Sequence, residues 1–517
     1  MRSVRITLYA LAFSLLFAGN AGATPVLVLD RDGDVRRAND RFLPAADLPV
    51  PPRSRDAVRA ARRVAPAQAP TGPSFRIALR DLLAAGQIDP ATHDRAKNAY
   101  NGVKRAYKAA SGVRKAELRA VLTEADDMSR RGFVTPSRLN AQSLTLERNR
   151  EWWNEAPVPR NGARMSFEGS ELVWQYYAGE GIQLQMLGNF GKLNGLAREE
   201  RKTRTAALAD ELVGLGSDRG GQLAWEYYFE FGGGEPPWTS GLSQATALQA
   251  LARATDLLGN PAYRDAATRG LGVFEQPPPT GVRVDGDVGP HFLIYTFNPD
   301  LRVINAFLQS VIGLYDFAQS TGDPRAQALY ESAEAEARVE TPRYNTGAWS
   351  LYSLSRESDL GYHKLTRDFL TRLCDRLATP VYCDTAQAFT DQLSQPPSVA
   401  PLTRRIRGGK PAELKFRLSK ISRVGVTIVD SSGRTVFATS AVVGYGDRFF
   451  TWSKTPTKAG IYTFRVSATD LAGNRAPVAE GPLRVLKPAR KRRGSGGGKP
   501  PAGTDPPADP PVEQPRG

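Results

Sequence analysis

The sequence predicts a mainly helical protein of repeated helical hairpins, followed by an all-β sandwich of immunoglobulin-like size. Three observations predict it. Apolar residues recur at helical spacing from Ser74 to about Leu393. The helices are punctuated by short breaks, Gly259-Asn260-Pro261 and Gly322-Asp323-Pro324, which stop one helix and cap the next. Beyond residue 405 polar and apolar residues alternate, as in Gly425 to Val429 and Tyr462 to Val466, with turns at Ser431-Ser432-Gly433 and Ala472-Gly473-Asn474. A chain of 517 residues, 41 % of them hydrophobic, is too long for one compact domain and rich enough for two or three cores. Helical hairpins alone fit either an α-solenoid or a closed (α/α) toroid.

Residues 1–23 carry Arg2 and Arg5, an apolar run from Ile6 to Ala18, and Ala21-Gly22-Ala23. That is the pattern of a signal peptide cleaved near Ala23, so a secreted or extracytoplasmic protein is expected. Residues 24–73 hold "VLVLDRDGDVRRAND", a hairpin turning at Asp32-Gly33, and then a Pro/Ala/Arg-rich linker. Residues 74–150 form a helical region. There Phe75, Leu79, Leu82 and Leu83 share a face, Gly86 stops the helix and Asp89-Pro90 starts the next. From 151 to 395 helices are expected in pairs, one with Leu248, Leu251, Ala252 and Leu258 on a side, another with Ile304, Phe307, Leu308, Val311, Ile312 and Tyr315. The sandwich occupies 405–487. The tail, 488–517, is basic and then Gly/Pro-rich; it is expected to be disordered, and either contacts an anionic cell surface or merely solubilises.

The net charge of +16 favours polyanionic partners. For an exported chain without a zinc-finger, RNA-recognition or helix-turn-helix signature, nucleic acid is the least natural of them. Export permits a disulfide, and the two cysteines, Cys374 and Cys383, are close enough for one local bridge at a helix end. Three scattered histidines, His93, His291 and His363, give no metal-ligand spacing with them. No G-x-S-x-G elbow, H-E-x-x-H, P-loop or Rossmann fingerprint is present, and no cofactor is expected. For a two-carboxylate glycosidase, Glu235 in "FGGGEPPWTSGLSQ" is the best single candidate.

Phenols concentrate in "RYNTGAWSLYSLSRESDLGYHKLTRDFL", where Tyr344, Tyr352 and Tyr362-His363 fall within thirty residues. Read alone, these are core aromatics. Together with "GGGEPPWTSGLSQATALQALARA" and "IYTFNPDLRVINAFLQSVIGLYDF", however, the segment resembles the C-terminal catalytic domain of D-glucuronyl C5-epimerases, over about Glu235 to Leu393. The positions that fit are Glu235-Pro236-Pro237-Trp238, Tyr295, Asn305, Ile312 to Asp316, Tyr344 to Gly347, Tyr352 and Tyr362-His363.

The resemblance implies an (α/α) toroid that holds a glucuronate-containing acidic polysaccharide and inverts C5 of the uronic acid. Such chemistry removes a proton α to a carboxylate and returns it from the opposite face, so it needs two acid/base groups and a group that neutralises the enolate. By resemblance Tyr295, Tyr352 and Tyr362 stand at that centre, with Glu235, Trp238, Asn305, Tyr344, Arg356 and His363 as candidate substrate contacts. Two departures matter. Ile294 replaces an acidic residue, and Ser355 replaces an arginine, although Arg356 follows at once. A polysaccharide lyase sharing the first proton abstraction, and a non-catalytic glycan-binding helical repeat, are the alternative readings.

Overall fold

The computed structural model describes residues 23–43 and 71–488. The expected signal peptide up to Gly22, the linker over 44–70 and the tail from 489 lie outside them. The described residues divide into two compact units, one running to 396 with 470–474 added, the other comprising 397–469 and 475–488.

The first unit is built on twelve described α-helices: α1 (Phe75–Ala84), α2 (Pro90–Ala109), α3 (Gly112–Arg130), α4 (Leu139–Glu155), α5 (Met186–Arg198), α6 (Lys202–Val213), α7 (Gly241–Leu258), α8 (Pro261–Gly270), α9 (Ile304–Thr321), α10 (Pro324–Glu340), α11 (Leu360–Leu377) and α12 (Pro380–Gln392). Helices α5/α6, α7/α8, α9/α10 and α11/α12 are hairpins. Their first members pack side by side, α5 on α7, α7 on α9 and α9 on α11. Residues Gly241 to Ala252 of α7 and Ile304 to Leu314 of α9 are buried without a break, as befits helices enclosed by neighbours on every side. Each hairpin returns by the same local chemistry. Gly259 and Gly322 take left-handed φ values of 69° and 67°, which cost glycine nothing. Asn260 and Asp323 then cap the next helix by accepting from the Ala262 and Arg325 amides, and proline stands at its first position. The last hairpin differs: Ala378 takes the left-handed position, at φ 49°, and a disulfide joins Cys374 in α11 to Cys383 in α12 across the turn.

Between α4 and α5 the expected run of helices gives way to sheet. Strands 164–167, 174–177 and 181–184 line up beside the hairpin 24–29/35–40, in the order 35–40, 24–29, 164–167, 174–177, 181–184. Strands 174–177 and 181–184 are buried at every residue, so no polar–apolar alternation marks them as strands. The connections entering α7, α9 and α11 are also long, with short two-stranded ribbons at 217–224, 283–292 and 351–357.

The second unit packs a three-stranded sheet (399–401, 412–418, 446–452) and a five-stranded sheet (405–407, 422–429, 435–443, 460–470, 479–486) around one core. Leu414, Phe416, Val424, Val426, Ile428, Trp452, Phe464 and Leu483 form it.

Candidate active site

Because a return helix separates α5, α7, α9 and α11, all four run in the same direction. The connections that feed them therefore gather at one end. Each delivers a tyrosine: Tyr177 before α5, Tyr227 before α7, Tyr295 before α9, and Tyr352 before α11, with Tyr362 in the first turn of α11. The Tyr352 and Tyr362 rings lie 4.7 Å apart between centroids. The Tyr295 phenol stands within electrostatic reach of Tyr352, Tyr362, Tyr227 and Tyr177. Aromatic packing fixes these positions. Tyr295 stacks on Phe297 at 5.0 Å and meets Trp238 edge-on at 5.5 Å, and Trp238 stacks on Tyr227 at 4.2 Å.

The structure thus brings Tyr295, Tyr352 and Tyr362 into one cluster and adds two phenols that sequence reasoning missed. Gln185 ties those two together. Its amide donates to the Tyr177 hydroxyl at 2.9 Å, and its carbonyl oxygen accepts from Tyr227 at 3.4 Å. The signal was present as "YY" pairs in strand-like contexts. In each pair the other member turns to structural work: Tyr176 donates to buried Glu117 at 3.0 Å, and Tyr228 to buried Glu226 at 3.3 Å.

Burial dominates the electrostatics. It pushes the Tyr352 phenol up to about 12, with Arg356 pulling it down and Asp359 pushing it up. Tyr362 is raised by burial, then by Tyr352 and Asp359, against Arg356. Tyr295 is raised well above the ordinary phenol range, by burial and by the four phenols around it. Arg356 is the cation that pulls on both Tyr352 and Tyr362. Its guanidinium lies 5.1 Å from the Tyr352 ring centroid. Asp359 caps α11, accepting from the Tyr362 amide at 2.8 Å.

The remaining candidates fall in different places. Asn305, in the first turn of α9, is 1 % exposed, and neither amide atom has a hydrogen-bond partner. A bridge between Val303 and Ser353 sets that helix start against the strand bearing Tyr352. Trp238 is buried and donates its indole N–H to the Phe229 carbonyl at 2.8 Å, so it supports the phenols from behind and offers no sugar-facing surface. Tyr344 is buried in a short 3-10 turn, directed at the Arg302 carbonyl at 3.4 Å, and joins no other phenol. His363 stacks on Trp349. Its Nδ1 accepts from the Ser350 amide at 3.2 Å, which leaves Nε2–H to donate to the Phe389 carbonyl at 2.9 Å. Both ring nitrogens are thereby occupied in the core. Ile294 is buried beside Tyr295 and supplies no carboxylate.

Glu235 stands on the rim of a groove of about 860 Å³ lined in part by Arg131, Phe133, Asp218, Arg219, Pro279 and Phe297. It pairs with Arg131 at 2.9 Å and remains largely exposed. Phe297, stacked on Tyr295, places the groove wall one ring from the tyrosine cluster. Beneath it the buried Glu226 carboxylate is gripped by Arg138, at 2.7 and 3.0 Å, and by Arg219 at 2.6 Å.

Comparison with known proteins finds a match over part of the first unit. Residues 219–391 match the family described as D-glucuronyl C5-epimerase C-terminus. Over 176 residues the chain is 30 % identical to the D-glucuronyl C5-epimerase of Caenorhabditis elegans, a match covering 30 % of this chain and 28 % of that one. Over 169 residues it is 26 % identical to an uncharacterised protein of Methanocaldococcus jannaschii, covering 31 % of this chain and 54 % of the other. The chain therefore spans between about a quarter and a half of the length of the curated relatives it matches. Among solved structures, the cellobiose 2-epimerase of Spirochaeta thermophila is similar at 16 % identity and a TM-score of 0.31, over 54 % of this chain and 73 % of that one. Tyr295, Tyr352 and Tyr362 all lie inside the matched segment, whereas Tyr177 and Gln185 lie outside it. Over the segment 219–391 this chain is thus similar to the family described as D-glucuronyl C5-epimerase C-terminus.

Proposed function

We propose that this protein is an exported carbohydrate epimerase that inverts C5 of a uronic acid in an acidic polysaccharide, on an (α/α) toroid. The observation that carries the reading is the meeting of Tyr295 and Tyr352, delivered by two different connections, with Tyr362 of α11, beside Arg356. One phenolate takes the C5 proton: its O–H bond forms as C5–H breaks, and the electron pair passes into the carboxylate-stabilised enolate. A neutral phenol on the other face then gives its proton to C5, inverting the centre. Surrounding phenols and Arg356 stabilise the negative charge while it is in transit. The raised phenols are well suited to the proton-donating role, while the proton-accepting role falls to the phenol nearest Arg356. The orphaned amide of Asn305 and the groove beyond Phe297 support a polar substrate entering from that side. The basic tail serves contact with an anionic cell surface.

The test is C5 exchange. The mature protein is incubated in deuterated water with heparosan and other glucuronate polymers, and deuterium at C5 is read by NMR, alongside Tyr295→Phe and Tyr352→Phe. Deuterium incorporation that both variants abolish is the expected result. A new unsaturated uronate absorbing in the ultraviolet moves the assignment to a lyase. Tight binding with no exchange, undiminished in Tyr352→Phe, refutes the catalytic role of the tyrosines, and the buried Ile294 is then its physical reason.

A further inference from the structure

The second unit gathers positive charge at one end without matching acids. Strand Arg405–Arg407 runs parallel to strand Ala479–Leu486, with Arg405 directly opposite Arg484. Ile406, Leu483 and Val485 point into the core, so alternation turns Arg405, Arg407 and Arg484 outward together, and all three are exposed. The two arginines of the short strand stand about 7 Å apart along it. Neighbouring segments bring lysines to the same end. The Lys410 amide donates to the Thr455 hydroxyl at 3.2 Å, and that hydroxyl donates to the Lys410 carbonyl at 2.6 Å. This bond ties exposed Lys410 to the turn that carries exposed Lys454 and Lys458. The Gly408 amide donates to the Leu486 carbonyl at 2.8 Å, which draws in the equally exposed Lys487.

Segments 402–412, 453–463 and 482–488 contain neither Asp nor Glu. The acids nearest to them along the chain are engaged elsewhere: Glu413 by Lys415 at 3.3 Å, Asp447 by Arg417 at 2.7 Å, and Glu480 by Arg465 at 2.8 Å. Arg417 and Arg465 thus each meet an acid across a sheet. Arg405 meets Arg484 instead, and like charges directly opposite destabilise a sheet. A bound polyanion relieves that opposition. Single-stranded nucleic acid is gripped by stacking on exposed rings. The one aromatic ring in these segments, Tyr462, is buried, with its hydroxyl on the Lys458 carbonyl at 3.2 Å. A membrane surface takes a broad apolar face, and only Leu402 and Ile461 are large apolar residues exposed in these segments. An acidic polysaccharide requires neither, since its carboxylate or sulfate oxygens match guanidinium forks and ammonium groups.

We propose that this end of the second unit, centred on Arg405, Arg407 and Arg484, is a docking surface for a linear acidic polysaccharide. It belongs to the folded sheet and is distinct from the basic tail. It does not depend on the epimerase reading, because its test needs no turnover.

The test is binding of the mature chain, tail included, to heparosan, with neutral dextran as the uncharged control. One variant combines Arg405→Gln, Arg407→Gln and Arg484→Gln. A second combines Arg417→Gln, Arg434→Gln and Arg465→Gln, which removes the same charge from arginines that already have acid partners. All these arginines are exposed, and circular dichroism verifies both folds. Heparosan affinity is expected to fall about tenfold in the first variant and less than about twofold in the second. Hydrogen exchange on adding heparosan is expected to slow in 405–410, 454–460 and 484–487, and equally so in Tyr352→Phe. Equal losses in the two variants, which bulk charge alone explains, overturn the proposal. So do wild-type affinity in a folded first variant, protection confined to 71–396, and binding to dextran as tight as to heparosan. Tighter binding of a DNA oligonucleotide or of phosphatidylserine vesicles than of heparosan, lost in the first variant, gives the surface to another partner and overturns it too.

Discussion

Replacing Arg356 by glutamine tests the electrostatics of the tyrosine cluster directly. With Tyr352 pushed up to about 12, roughly one phenol in ten thousand is ionised at pH 8, and that small fraction limits any reaction in which it is the base. The Arg356 charge lies 5.1 Å from the ring. A unit charge at that separation contributes about 0.8 kcal/mol in water and about 3 kcal/mol at an effective dielectric near 20. Arg356 is exposed, so the lower end applies: about 1 kcal/mol, or roughly fivefold in phenolate population. Deuterium exchange at C5 under saturating polymer is therefore expected to fall about fivefold in Arg356→Gln. Its rate should rise tenfold per pH unit between pH 7 and 9 in both proteins, with the variant displaced upward by about 0.7 unit. Arg356→Lys, which keeps the charge, should recover most of the rate. An Arg356→Gln profile that overlays the wild type refutes the argument that this cation sustains the phenolate. Equal loss in the lysine variant, appearing in KM instead of kcat, assigns Arg356 to bidentate binding of the substrate carboxylate.

Three further outcomes concern stability. Tyr227 and Tyr352 are pushed to about 12, and Tyr295 and Tyr362 are also raised; above pH 10 the unfolded chain releases protons that the folded chain retains, so stability should fall from pH 10 to 12 by about 1.4 kcal/mol per pH unit for each phenol, and urea midpoints that stay level across that window contradict it. Glu226→Gln leaves Arg138 and Arg219 facing an uncharged partner in a buried site, and should cost about 3–5 kcal/mol in denaturant melts; a loss below about 1 kcal/mol means the two arginines find other partners. Removing the Cys374–Cys383 bridge by double serine substitution should cost about 2–3 kcal/mol for a closed loop of about ten residues, with faster amide exchange confined to residues 360–392; exchange that quickens elsewhere as well shows that the bridge steadies more than its own hairpin.

The hairpins of α7/α8 and α9/α10 were legible because their returns use residues with one conformational meaning each: glycine in the left-handed region, Asn or Asp as cap, proline in the first turn. Tyr295, Tyr352 and Tyr362 were legible through resemblance alone, since a buried phenol at helical or strand spacing is indistinguishable from packing. The strands at 174–177 and 181–184 were not legible, because a strand buried on both faces has lost its alternation. With them went Tyr177 and Gln185, which complete the cluster from outside the matched segment. Trp238 and His363 were read as sugar contacts from their place in a motif. Both are held in the core by satisfied hydrogen bonds, which no motif records.

Tyr177, Tyr227, Tyr295 and Tyr352 each arrive on a different connection, while the helices beneath are locked by capped returns and buried faces. The part that sets the chemistry and the part that sets the stability are therefore inherited separately. On the proposed mechanism, a lengthened or exchanged connection displaces one phenol and leaves those on the other three connections and the scaffold as they were. A shift of the enolate's fate, between return to the opposite face, return to the same face and loss of a leaving group, then requires alteration of a single loop. Libraries confined to 286–303 or 345–359 should therefore sample that variation at little cost in stability.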